Sequence, residues 1–139
     1  VYNRRGLREW HPPGGSGNIY KELLEHAGPM FQGLLVKKEA LERIGYLDES
    51  VPSYQEWETC IRLAKENEFY HMKEPLFVYH LHKNETISKD LKRSVSGYGY
   101  VIRKHRFEII KKCGHSTLHS HYEAILRMCI SYGDSRYLP

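Results

Sequence analysis

Glu56 and Glu58 stand on either side of a tryptophan in the stretch YQEWETCIRLAKEN, residues 54–67. An acid in the first turn of a helix needs no chemical role, because the helix dipole and the unpaired backbone N–H groups already favour it. A carboxylate that borders an apolar stripe is a different case. Partial desolvation raises its pKa toward the range in which it can take a proton. Glu56 shares a helical side with Cys60 and Leu63 and so borders the stripe Trp57, Cys60, Ile61 and Ala64. Glu58 lies one turn before Arg62 and reads as facing water or an ion pair. Glu56 is therefore the candidate general base and Glu58 the alternative. Arg62 is the residue to hold one of them in place.

The elements around this helix follow from periodicity and breakers. Asn18 caps a predicted helix NIYKELLEHA, with Ile19, Leu23, Leu24 and Ala27 on one side and Gly28-Pro29 at its end. The apolar run FQGLLV reads as a short buried strand. KKEALERI reads as a helix closed by Gly45 in a left-handed conformation. After the helix at 54–67, EFYHMK and LFVYHL, split by Glu74-Pro75, read as two short strands. From about Leu91 the chain turns helical, with Gly97 and Gly99 weakening the pattern, and a last helix is predicted over 118–132. In that last helix Tyr122, Ile125, Leu126, Cys129 and Ile130 recur at helical spacing.

A chain of 139 residues holds one domain with a real core. The net charge of +4 is mild, and its excess is concentrated between Lys92 and Lys112, where Glu108 is the single acid. In that segment Val101, Ile102, His105, Ile109 and Lys112 share a helical face. It reads as a core-packed helix with a solvated basic side rather than a nucleic-acid binder. The three cysteines, Cys60, Cys113 and Cys129, are scattered and odd in number, which points to a reducing compartment and a cytoplasmic location. His71, His80 and His82, and the cluster His115, His119 and His121, lack cysteine or carboxylate partners at regular spacing. They read as solvated histidines rather than a zinc site.

From about Asn18 to Asp90 the order of motifs resembles the C-terminal, acceptor-side half of a family 2 glycosyltransferase of the GT-A type. The resemblance is carried by GLLV, Lys37-Lys38, EALERIG, Tyr46-Leu47-Asp48-Glu49, QEWETCIRLA and Tyr79-His80-Leu81-His82. It implies an α/β fold of short strands with helices over residues 1–90, followed by a helical C-terminal extension over 91–139. The implied reaction moves a sugar from a nucleotide-sugar donor to a hydroxyl of a glycan or surface polysaccharide, inverting the anomeric centre. Glu56 takes the place of the family's catalytic aspartate. Its extra methylene shifts the carboxylate by about one bond length, and misplacement on the order of 1 Å costs ~100-fold in rate.

The same resemblance places Gly33, Trp57, Thr86 and Ser88 on the substrate-binding side. It makes His82 a ligand or neighbour of a divalent metal, Mg or Mn, in the intact enzyme. There is no Asp-x-Asp motif and no glycine-rich phosphate loop. The chain is thus expected to be the acceptor half alone, inactive by itself and binding no metal, with the donor half upstream of Val1. Association with the inner face of a membrane is compatible with that activity. Two rival readings share the sequence: a non-catalytic carbohydrate-binding module of the same fold, and a basic nucleic-acid or membrane-surface binder.

Overall fold

A computed structural model of the chain describes residues 15–74 and 90–131. Among the described residues five α-helices carry the architecture: α1 (Tyr20–Glu25), α2 (Lys38–Arg43), α3 (Gln55–Ala64), α4 (Leu91–Cys113) and α5 (His115–Ser131). A 3-10 turn, Phe31–Gly33, lies between α1 and α2. Helices α4 and α5 form an antiparallel hairpin turned at Gly114, whose φ of +90° suits glycine. Helices α1 and α3 pack against α4.

The α/β expectation is overturned. Among the described residues there is no sheet, and the one extended pairing is an isolated antiparallel bridge between Gly17 and Phe69. FQGLLV was read as a buried strand because it is nearly all apolar. Instead it forms the 3-10 turn and then an extended segment without a ladder, in which Leu34 packs on the core and Leu35 is 100% exposed. Of EFYHMK only Phe69 enters a bridge. A strand exists only where another strand satisfies its N–H and C=O groups, and an apolar run cannot announce its partner. The strand expected at LFVYHL lies outside the described residues.

The helices conform better to the pattern. Asn18 accepts a hydrogen bond from the Tyr20 N–H at 3.1 Å, although the helix itself begins after Ile19. Ile19, Leu23 and Leu24 are buried, whereas Ala27 is not. Helix α2 ends in two capping hydrogen bonds, Gly45 N–H to Glu42 O at 3.0 Å and Tyr46 N–H to Leu41 O at 2.8 Å, with Gly45 at φ +73°.

One core binds α1, α3 and α4: Leu23 and Leu24, Trp57, Cys60, Ile61 and Ala64, and Val101, Ile102 and Ile109. Helix α4, in the expected helical C-terminal extension, thus shares a core with the residues before position 90. A smaller cluster of Val95, Ile125 and Cys129 closes the far end of the hairpin. Leu126 and Ile130, expected in the stripe of α5, face outward instead.

Helix α4 runs unbroken through Gly97 and Gly99 because those glycines are contact points, not breaks. A Cβ on Gly97 would fall 2.5 Å from Ser53 O and 2.7 Å from Ser53 N. The absence of a side chain lets α4 lie directly on the backbone ahead of α3. Two further bonds fasten this contact: Ser53 Oγ donates to Arg93 O at 2.8 Å, and Arg93 Nε donates to Pro52 O at 2.5 Å.

Candidate functional site

The approach to α3 is set by Tyr54, a non-glycine residue in the left-handed region at φ 62°, ψ 30°. Such a conformation is costly for a bulky side chain and persists only where its surroundings hold it. Here an aromatic cluster does so. The Tyr54 ring meets Trp57 edge-on at 6.0 Å and Tyr98 edge-on at 5.5 Å between centroids. Trp57 is 1% exposed, and its indole N–H donates to Leu23 O at 2.6 Å. Trp57, expected on the substrate-binding side, lies in the core, its ring buried among α1, α3 and α4.

The two carboxylates of α3 have opposite surroundings. Glu58 is 0% exposed and accepts from Arg62 Nε at 2.9 Å on each oxygen. Arg62 Nη2 is also 2.9 Å from Oε2, close enough for attraction but misaligned for a further hydrogen bond. Lys104 Nζ reaches Oε1 at 2.7 Å and bridges onward to Asp48 Oδ2 at 2.6 Å, which also accepts from Tyr100 O–H at 2.9 Å. His105 Nε2 stands 3.5 Å from the same Oε1, while its Nδ1 is 3.5 Å from Glu108 Oε2.

Burial alone would push the Glu58 carboxyl upward. The contacts of His105, Arg62 and Lys104 outweigh that effect and bring it down to about 2. A carboxylate so held has little basicity near neutral pH. Its observed work is to join α3 to α4 and, through the Arg62 Nη1 donation to Ile44 O at 2.6 Å, to the end of α2.

Glu56 is half-buried and makes no hydrogen bond or ion pair among the described residues. It lies close enough to Cys60 for its charge to add to the effect of burial, which pushes that thiol up to about 12. Arg62, expected to orient one of the acids, orients Glu58 and leaves Glu56 unclamped. Sequence reasoning missed Asp48, Lys104 and His105 as parts of this cluster. The only signal was that Lys104 and His105 are consecutive, so that one helical turn offers two adjacent cationic or polar groups to an acid on its neighbour.

The remaining expected site residues are dispersed or undescribed. Gly33 ends the 3-10 turn and is exposed. Thr86, Ser88 and His82 lie outside the described residues. No group of three or more His, Cys, Asp or Glu among the described residues is arranged to hold a metal ion, so no metal-dependent step is assigned to them.

The histidines of α5 divide in the same way. His115 and His119 are exposed, and His119 lies 3.4 Å from Glu123. His121 is buried, against the expectation of a solvated ring. Its Nε2–H donates to Leu24 O at 2.9 Å, and its Nδ1 accepts from Tyr98 O–H at 2.8 Å. Burial, opposed by the Leu24 bond, lowers its pKa and keeps the ring neutral. No protein-family model, no curated protein and no solved structure matches this chain.

Proposed function

We propose that the chain carries the acceptor-activating side of an inverting glycosyl transfer, with Glu56 as general base. One observation carries this reading: of the two acids that open α3, Glu58 is consumed by three cationic or polar neighbours, while among the described residues Glu56 keeps its oxygens unengaged. A base must have a free lone pair to receive the acceptor's proton. Glu56 has one, on a helix fixed at both flanks by Trp57 and by the Glu58–Arg62 pair. The reading is supported further by the motif order around 54–62.

In this scheme Glu56 accepts the hydrogen of an acceptor hydroxyl as that oxygen attacks the sugar of a nucleotide-sugar donor and the nucleoside diphosphate leaves. Glu58 and Arg62 are positioning residues for the helix. No metal-ligand group occurs among the described residues, and no donor-nucleotide site is assigned to them.

The test is Glu56→Gln in the protein that performs the transfer, beside Glu58→Gln. Loss of turnover by ~100-fold or more in Glu56→Gln, with an unchanged melting temperature, is the expected result. Glu58→Gln is expected to lower the melting temperature first. Full transfer by Glu56→Gln refutes the assignment.

A further inference from the structure

The exposed half of α4 carries charge that the fold does not use. Lys92, Arg103, Arg106 and Lys111 recur at spacings that place them on one side of a 100°-per-residue helix. All four are exposed, and none makes an ion pair or hydrogen bond to another described residue. The opposite side, with Val101, Ile102, His105 and Ile109, is buried in the core. On the inner flank Lys104 is engaged by Asp48 and Glu58, and Glu108 of α4 is taken by Lys65 at 2.6 Å. The outward stripe is therefore of one sign along about 28 Å of helix.

In its midst stands Phe107, 69% exposed, with the Arg106 guanidinium 4.5 Å from its ring centre. Among the described residues neither core cluster includes this ring, which is held out in water among cations.

We propose that this face of α4 docks on an anionic lipid bilayer, the cations meeting headgroup phosphates and carboxylates while Phe107 enters the interface between them. A flat charged surface fits a straight helix that is buried along its other side. A protruding phenylalanine gains more from acyl chains than from a phosphate backbone. This inference is independent of the sugar-transfer reading, since it uses none of the residues around Glu56.

The experiment is sedimentation of the 139-residue chain with vesicles of phosphatidylcholine mixed with phosphatidylserine, and with pure phosphatidylcholine, at low and high salt. Binding to the mixed vesicles only, released by salt, is expected. The pair Arg103→Glu with Arg106→Glu should lower partitioning by about 25-fold or more, on the order of five-fold for each cation lost. Phe107→Ala should weaken binding while leaving its salt dependence in place. If Arg103→Glu disturbs the helix by circular dichroism, Arg106→Glu with Lys111→Glu serves instead.

The control is Lys37→Glu with Lys73→Glu, an equal change in net charge at exposed positions off the stripe, which should bind as the parent does. Three results would overturn the proposal: no binding to mixed vesicles at low salt, equal loss in the control, or preference for duplex DNA at matched phosphate concentration.

Discussion

Gly97 of α4 lies over the backbone of Ser53, with room for a hydrogen where any side chain would collide with the Ser53 N–H and C=O. This contact sets how close the long helix comes to the segment that launches α3. Alanine is the better helix former by about 1 kcal/mol, so at an open position Gly→Ala would stabilise. At Gly97 the collision reverses the sign. Gly97→Ala is expected to destabilise by about 3 kcal/mol, read as a lowered urea midpoint. At Gly99 a Cβ would meet only the flexible end of Arg103, at 3.2 Å, and Ile125 Cδ1 at 4.0 Å. Gly99→Ala should be neutral or stabilising by up to about 1 kcal/mol. Equal effects at the two sites would show that the contact is not made.

Removing Glu58 leaves Arg62 and Lys104 facing each other's charge without the carboxylate between them. Glu58→Ala should cost about 3–5 kcal/mol in equilibrium denaturation, the usual range for breaking a buried pair from one side. A change under about 1 kcal/mol would place this cluster in solvent.

Acid should act on the same group in a defined window. Its folded-state value, about 2, lies below the ordinary value of 4.5. The stability it contributes is complete above 4.5 and is lost as pH falls from there toward 2. A melting temperature that declines across this interval in the parent, and declines less in Glu58→Gln, is the expected pattern.

His121 contributes a separate step at higher pH. Its pKa is lowered from the ordinary 6.5 on folding, so the unfolded chain binds a proton more readily. Stability is therefore full above 6.5 and falls as the solution is acidified below it. His121→Asn should flatten that part of the profile. Tyr98→Phe, which strips the donor from Nδ1, should cost about 1–2 kcal/mol at neutral pH.

Much of the helical content was legible because it is written in local periodicity. The stripe Trp57, Cys60, Ile61 and Ala64 is buried as its spacing requires, and Gly45 closes α2 with the positive φ that its position called for. What failed were inferences that needed a distant partner. FQGLLV looked like a strand, yet strand identity depends on another segment's hydrogen bonds. The glycines of α4 looked like weaknesses because Ser53, more than forty residues earlier, cannot be seen from them. The acids at 56 and 58 were assigned to different helical sides from the sequence. That Glu58 would be buried among Lys104, His105 and Arg62 depended on α4, whose docking no local pattern encodes. Likewise, His121 reads as a surface ring in the sequence because the Leu24 carbonyl that fixes it lies 97 residues away.

Helix α1 has six residues, well short of the ~12 that an isolated helix needs to persist in water. Two of its last carbonyls, those of Leu23 and Leu24, are taken by Trp57 from α3 and His121 from α5. The helix is thus completed by groups that arrive from both later parts of the chain, and its amide protons should exchange only when those parts open with it.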